Sequence, residues 1–487
     1  MNMLTSQSTK NLLGIILGFC IGAINTLVLY PYFLGAEKQG LVVFLLSASN
    51  LLMPLIGFGV SQTIIKFHSG YTENDKQGFL SYVVLLPIIV ALPLCFVALH
   101  FHDSIAALLS VENPIIASYT WVIFTTAFAT AYFEVFYSWA RVHFKSVAGN
   151  ILKEIYPRAS ILILLLAYAL EWIDLDLFFV LLVGLYYLRL LLMVLIAFRI
   201  QPPKFSWEKP KNLNELLRYS LFLVLAASAG SLIIDIDKSM LPQYLAISET
   251  AFYSVAIYIA AFIEIPGRAL FQILNPLLAK AINENNVEQV KHLYKDSSIN
   301  LLLLAGWFFL LVNGSIDSLF ELMEDKGYGN AIWVVLMISF AKLVSMSSGA
   351  ANTILINSNK YRVSLVLTIF MALFVVVGNA VFIPLYGING AAATTLILVV
   401  VFTFLRMGYV YRFFNVQPYE RNTLYAFVFI GIIYWGLGYL TLSIHPLLSI
   451  AVKSVLITLV YGLGVSFFRL SPTLHRILQS RFRKLPK

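Results

Sequence analysis

A succession of long apolar runs constrains this sequence most, since each run has about the length that crosses a lipid bilayer. The runs lie roughly at 11–33, 41–65, 79–101, 115–138, 151–170, 177–198, 217–236, 245–268, 299–320, 331–356, 363–383, 388–411, 423–442 and 447–468. Charged residues make up 12% of the 487 residues, whereas a soluble protein has about 25%. Water therefore cannot be the main solvent. The sequence predicts an all-α integral membrane protein with about 14 transmembrane helices.

The distribution of basic residues predicts the orientation in the membrane. Lysine and arginine concentrate in alternate loops and in the C-terminal tail, while the opposite loops hold only Lys38, Lys238 and Lys326. Because cytoplasmic loops carry the excess of positive charge, both termini are predicted to be cytoplasmic. The segments 70–77 and 203–211 and Lys484 are then cytoplasmic, and Asp174 and Glu324 lie outside.

Three prolines interrupt a polar stretch between the sixth and seventh runs, at positions 202, 203 and 210. Proline blocks a continuous helix, so 201–216 is predicted to be a cytoplasmic linker. It separates a six-helix lobe at 1–200 from a second six-helix lobe at 217–415. A helix pair at 416–468 and a basic tail at 469–487 follow. We expect the tail to meet anionic lipid headgroups at the cytoplasmic surface.

Several classes of function lack their motifs in this sequence. It contains no phosphate-cradling GxxxxGK[ST] loop and no HExxH, CxxC or GxSxG motif. We therefore expect neither an enzyme nor a bound cofactor or metal, and no direct use of ATP. No short filter-like segment repeats between the runs, as a channel would require. Prolines in or beside the spans, among them Pro54, Pro87 and Pro266, favour broken helices that line a cavity, and hence a carrier.

Three groups of residues carry a resemblance to a known family. They are Gly57–Lys66, the stretch from Asp235 through Ala251–Ala256 to Glu264–Gly267, and Pro384–Ala393. With the helix count and order over essentially the whole chain, they resemble the polysaccharide and O-antigen flippases. That family is part of the multidrug/oligosaccharidyl-lipid/polysaccharide exporter superfamily.

The resemblance implies two lobes of six helices around a central cavity that opens alternately to each side of the membrane. It implies a flippase of the bacterial cytoplasmic membrane that moves a polyprenyl-diphosphate-linked oligosaccharide to the outer leaflet. Such a protein serves the synthesis of cell-surface polysaccharide such as O-antigen and lipopolysaccharide. Polysaccharide polymerase and glycosyltransferases are its implied partners, and nucleic acid is not. The terminal helix pair could form a groove for the lipid tail.

A diphosphate headgroup needs cations within the membrane, because phosphate cannot cross hydrocarbon unpaired. Lys342 lies near the middle of the tenth run and Arg189 near the middle of the sixth. Arg268 lies four residues after Glu264 on one face of the eighth run, where phosphate binding competes with a local ion pair. An ion pair with a neighbouring helix is the alternative for Arg189. We predict all three cations as substrate-binding residues.

Carboxylates within the runs are the candidates for ion coupling, namely Glu264, Glu134 and Asp235. Arg141 lies seven residues after Glu134, along the same helix face. Asn25 and Gln62 are candidates for binding sugar hydroxyl groups, with polar helix packing as the alternative. Lys66, expected at the inner interface, is also predicted as a substrate-binding residue.

Two other functions compete with the flippase. One is a cation-coupled drug or metabolite exporter of the same superfamily, which usually has twelve helices, so the extra pair argues against it. The other is a scaffold in a polysaccharide assembly complex with no transport of its own. Charged residues in the middle of the membrane argue against a passive scaffold.

Overall fold

The computed structural model describes residues 2–71, 73–202, 212–323, 326–440 and 442–471. These residues form helices and connecting turns, and no strand occurs among them. A helix satisfies its backbone hydrogen bonds within one segment, which is what a chain without surrounding water requires. Most of the predicted linker and the C-terminal tail, at 203–211 and 472–487, lie outside the described residues. Lys484 and Glu324 of the topology prediction also lie outside them.

The helices group into two compact units, Met1–Ala251 and Phe252–Lys487. The first unit contains α1 (Asn2–Ile24), α2 (Gly35–Gly57), α3 (Val60–Phe67), α4 (Glu73–His100), α5 (His102–Leu109), α6 (Trp121–Val142), α7 (Ser146–Glu154), α8 (Tyr156–Ala169), α9 (Leu175–Ile200) and α10 (Leu213–Met240). A π-helix, Asn25–Leu34, joins α1 to α2. The boundary falls within α11 (Ile247–Ala260).

The second unit continues with α12 (Ile265–Asn283), α13 (Val287–Gly314), α14 (Ile316–Leu322), α15 (Ile332–Ser347), α16 (Ala351–Asn357), α17 (Tyr361–Tyr386), α18 (Ile388–Phe414), α19 (Arg421–Leu437) and α20 (Pro446–Phe467). A short 3-10 turn, Ala261–Glu264, separates α11 from α12. Helix α10 belongs to the first unit, whereas the sequence analysis assigns it to the second lobe. The division into lobes at 201–216 stays a prediction.

Ten stretches of the described residues are long and apolar enough to cross a membrane. One of them, Leu13–Gly57, has 45 residues, about twice the length that one crossing needs. Large apolar side chains such as Leu92, Phe96 and Phe370 are exposed on the helix surfaces, as expected where the solvent is hydrocarbon. The chain is a multi-pass membrane protein. The count of fourteen helices stays a prediction.

Some predicted spans are interrupted, because local backbone geometry ends the helix inside the apolar run. The run 41–65 breaks after Gly57, where Phe58 and Gly59 have φ angles of 44° and 65°. A Cβ atom at residue 59 would lie 2.6 Å from the carbonyl oxygen of Ser220 on α10. Glycine is therefore required at this position both by the φ angle and by the close approach of α10. The run 331–356 divides in a similar way into α15 and α16, with Gly349 at a φ angle of 52°. The run 151–170 divides into α7 and α8 at Ile155, two residues before Pro157.

Helix α6 lies at the centre of the packing in the first unit. It contacts α2, α3 and α9, and α2 in turn packs against α10. Aromatic side chains of α6 fill this core, with Phe133 and Trp139 fully buried. The apolar cores thus hold the charged residues of α6 and α9 at fixed positions within the unit.

In the second unit, α18 packs against both α17 and α15, and α15 packs against α13. The predicted small-residue segment 384–393 enters α18 at this contact. A Cβ atom at Gly390 would lie 2.0 Å from the carbonyl oxygen of Phe382 on α17. The small residues of this segment therefore let the backbones of α17 and α18 approach closely.

Candidate functional site

Three charged side chains meet at the 3-10 turn that separates α11 from α12. Glu264 ends the 3-10 turn, and Pro266 follows it at the start of α12. The Glu264 carboxylate lies 2.8 Å from the ammonium of Lys342 on α15 and 4.0 Å from the guanidinium of Arg268 on α12. The Lys342 side chain is 19% exposed and that of Arg268 is 51% exposed. We call these three residues the Glu264 cluster.

The Glu264 cluster combines two cations with one carboxylate. A single carboxylate neutralises only one of the two cations, so the cluster keeps a surplus positive charge. Lys342 is the tightly held cation, whereas Arg268 is half exposed and makes only a long contact. Its guanidinium therefore has donors left for a further anion.

The Lys342–Glu264 contact shows which group neutralises the charge of the lysine. The sequence shows no acidic residue near Lys342 on its own helix, which leaves water, another helix or an anionic substrate as its partner. The structure supplies the carboxylate from the 3-10 turn that precedes α12. Of the nine predicted site residues, Glu264, Arg268 and Lys342 are the ones it brings into ionic contact with one another.

Glu134 in the first unit forms a different ion pair from the one its helix suggests. Its carboxylate lies 2.6 Å from the ammonium of Lys153 on α7, and the Glu134 side chain is 22% exposed. Sequence spacing points to Arg141 on the same helix and cannot point to Lys153, because that contact joins two helices. A proton or cation that reaches Glu134 must compete with this lysine.

Arg189 is buried among aromatic rings, and no carboxylate in the described part of the chain hydrogen-bonds to it. Its guanidinium lies 4.4 Å from the ring centre of Phe133 and 4.7 Å from that of Tyr186, and it donates a 3.2 Å hydrogen bond to Thr130. The residue is 5% exposed. Rings stabilise a desolvated guanidinium through their negative faces. Its predicted role in substrate binding stays a prediction, as do those of the other site residues.

Asp235 near the end of α10 has two partners in the first unit. Lys238 lies 2.5 Å from one carboxylate oxygen, and Asn50 on α2 donates a 3.2 Å hydrogen bond to the other. The Asp235 residue is 6% exposed. Its charge is thus already matched by a lysine three residues later on the same helix.

The polar candidates differ in their access to a ligand. Asn25 is 3% exposed, and its amide donates a 2.7 Å hydrogen bond to the carbonyl oxygen of Arg158 on α8. That contact has the form of polar helix packing. Gln62 and Lys66 on α3 are exposed, and the Lys66 ammonium lies 3.6 Å from the ring centre of Tyr219.

Two further cations within apolar helices escaped the sequence analysis. Arg406 on α18 donates a 3.1 Å hydrogen bond to the sulfur of Met371, and its Nε atom has no hydrogen-bond partner among the described residues. Lys453 on α20 is 7% exposed. A scan for every charge inside an apolar run would have found both residues.

Comparison with protein families identifies the first half of the chain. A family model described as "Polysaccharide biosynthesis protein" matches residues 6–265, which is more than half of the chain. No curated protein matches the sequence.

Solved structures with the same fold cover nearly the whole chain. One is "Lipid II flippase MurJ", with a TM-score of 0.70 and 13% identity over 96% of this chain and 99% of the other. Another is a multidrug resistance MATE family transporter of the MOP superfamily, with a TM-score of 0.62 and 15% identity over 85% of this chain and 94% of the other. A third is a MOP superfamily transporter from Pyrococcus furiosus, with a TM-score of 0.56 and 14% identity over 88% and 96%. These identities show the fold alone. The chain therefore belongs to the polysaccharide biosynthesis protein family and has the fold shared by the MurJ and MATE transporters.

Proposed function

We propose that the protein is a flippase that moves a polyprenyl-diphosphate-linked oligosaccharide from the cytoplasmic to the outer leaflet by alternating access. It would serve cell-surface polysaccharide synthesis, such as that of O-antigen or lipopolysaccharide, in the bacterial cytoplasmic membrane. Polymerase and glycosyltransferases would act beside it. The family match and a fold shared with a lipid II flippase support a lipid-linked substrate.

The surplus positive charge of the Glu264 cluster is the observation that carries the proposal. A diphosphate brings at least two negative charges, and phosphate oxygens accept hydrogen bonds from both lysine and arginine. Arg268 offers a planar fork of donors that suits two phosphate oxygens at once, while Lys342 offers a point charge. The carboxylate of Glu264 holds Lys342 when no substrate is bound.

Substrate binding and ion coupling would then compete at Glu264. A diphosphate that takes Lys342 must displace the carboxylate, whose charge is left without its 2.8 Å partner. Protonation, or capture of a cation, relieves that charge. Transport coupled to a proton or sodium gradient follows from this exchange, with Glu134 as the second candidate carboxylate.

Reconstituted vesicles test the function directly. The probe is a fluorescent polyprenyl diphosphate disaccharide, and the measurement is its transfer between leaflets, read by an impermeant quencher. We expect the purified protein to accelerate transfer. If vesicles with and without the protein transfer the probe at the same rate, the flippase proposal is wrong.

Three variants test the site. Lys342→Gln is expected to lose most of the transfer rate, and Lys342→Arg to keep part of it. The matched control is Lys280→Gln, which removes a lysine that is 70% exposed and 3.8 Å from Glu284. It should transfer normally. Normal transfer by Lys342→Gln would remove Lys342 from the substrate site and leave the function itself standing.

A cation-coupled exporter is the second candidate, favoured by the fold shared with MATE transporters. An organic cation as substrate would be repelled by the surplus positive charge of the Glu264 cluster. Uptake of a fluorescent organic cation into inverted vesicles separates the two functions. Gradient-driven uptake without lipid transfer would favour the exporter.

A further inference from the structure

Lys453 is the only charged residue of α20, which is otherwise apolar or weakly polar. It lies seven residues after Pro446, or about 10 Å along the helix. The residue is 7% exposed, and within the described part of the chain no carboxylate lies within 4.0 Å of its ammonium and no acceptor hydrogen-bonds to it.

Such a position is unfavourable for a lysine that has no partner. Removing an ammonium from water costs several kcal/mol in a protein interior, and the cost is recovered only by a counter-charge or by several hydrogen bonds. The chain provides neither among its described residues. The ammonium of Lys453 is therefore available to an anionic group that enters the pocket lined by its side chain.

The side chain of Lys453 lines a pocket of about 450 Å³ in the second unit. The end of α13, helix α14, the end of α19 and the start of α20 form its walls. Asp317 and Glu321 on α14 also line it, and both are exposed, as is Trp435 on α19. The lining thus combines one buried cation with two exposed carboxylates. The positive-inside rule places this end of the helices on the outer side.

We propose that this pocket binds the headgroup of a zwitterionic phospholipid of the ethanolamine class in the outer leaflet. The phosphate would meet Lys453, and the amine beyond it would meet Asp317 and Glu321. In a bilayer the phosphate lies deeper than the amine. Lys453 likewise lies one turn further into α20 than Ser449, which accepts a hydrogen bond from Ser318, the neighbour of Asp317. A phosphate without an amine would bring its negative charge past two carboxylates with nothing to compensate them.

The helix surface beside the pocket favours a lipid over a soluble phosphate ester. Leu448 and Val452 on α20 are 58% and 46% exposed and offer apolar contact to acyl chains. The inference does not depend on what the protein transports, since the pocket and the Glu264 cluster share no residue.

Lipid titration of the purified protein, read by native mass spectrometry, tests the proposal. The lipids are phosphatidylethanolamine and phosphatidylglycerol with identical acyl chains. We expect tighter binding of phosphatidylethanolamine by the wild type. Lys453→Met should weaken its binding about tenfold to a hundredfold, the value of a hydrogen bond to a charged group. Lys453→Arg should retain it, and Lys280→Met, which removes an exposed lysine elsewhere, should bind normally.

A second variant tests whether the carboxylates of Asp317 and Glu321 bind the amine. The double variant Asp317→Asn with Glu321→Gln should bind the two lipids equally, because the amine loses its partners. Both side chains are exposed, so this variant decides the question if Lys453→Met fails to fold. Equal binding of the two lipids by the wild type would overturn the proposal, and so would unchanged binding by a folded Lys453→Met. Competition by free phosphoethanolamine at the concentration of the lipid would overturn the assignment to a lipid.

Discussion

Glu264 is expected to hold Lys342 much more strongly than it holds Arg268, and double-mutant cycles measure both couplings. At 2.8 Å and an effective dielectric constant of about 20, the attraction to Lys342 is about 6 kcal/mol before desolvation. At 4.0 Å and a dielectric near that of water, the attraction to the half-exposed Arg268 is about 1 kcal/mol.

Desolvation and lost side-chain freedom cancel most of these gross values. Partly buried pairs lie between the exposed pairs, worth about 0.2–1 kcal/mol, and the fully buried ones. We therefore expect a net coupling of about 1–2 kcal/mol between Glu264 and Lys342, and less than about 0.5 kcal/mol between Glu264 and Arg268.

Unfolding of the purified protein by sodium dodecyl sulfate in mixed micelles provides the assay. The first cycle uses Glu264→Gln, Lys342→Met and the double variant, and the second replaces Lys342→Met by Arg268→Gln. Glu264→Gln leaves Lys342 partly buried without its carboxylate, so adding Lys342→Met should recover stability. Equal couplings in the two cycles, or a double variant less stable than Glu264→Gln, would refute this account of the cluster.

Three further predictions concern topology, packing and energetics. A cysteine at Asp174 should react with an impermeant thiol reagent in intact cells and one at Gly70 should not, in a background without native cysteines; the reverse pattern would invert the orientation. Gly390→Ala should destabilise the protein by about 1–3 kcal/mol, because the added Cβ would lie 2.0 Å from the carbonyl oxygen of Phe382. Gly408→Ala on the same helix, with open space around it, should stabilise by about 0.5–1 kcal/mol, and equal thermal shifts would contradict both. Collapse of the proton and sodium gradients should slow lipid transfer in vesicles, and an unchanged rate would exclude ion coupling.

The apolar runs predict the helical fold because hydrocarbon leaves the backbone few other choices. The interruptions inside the runs are harder to predict from the sequence, since they depend on tertiary contacts. The left-handed φ angle of Phe58 is unusual for a bulky residue, and the neighbouring Gly59 is required by Ser220 from a distant helix. No local pattern in α2 contains that information.

The contacts of the candidate site also divide into local ones, which the sequence predicts, and tertiary ones, which it does not. Sequence spacing identifies the contact between Glu264 and Arg268, because residues four apart share a helix face. It cannot identify the contacts of Glu264 with Lys342 or of Glu134 with Lys153, which join different helices. The charges themselves were visible in the apolar runs, but their pairing required the packing.

The central position of α6 has a consequence for how the protein is made. Thirteen of its 22 residues are buried, and the helix is not among the ten stretches that are apolar enough to span a membrane alone. A translocon that partitions each segment by its own hydrophobicity would insert this helix poorly. We expect α6 to integrate only with its neighbours α2 and α9, so insertion of the isolated segment in a glycosylation-mapping assay should be low and should rise when they are present. Efficient insertion of the isolated segment would show that the helix needs no such assistance.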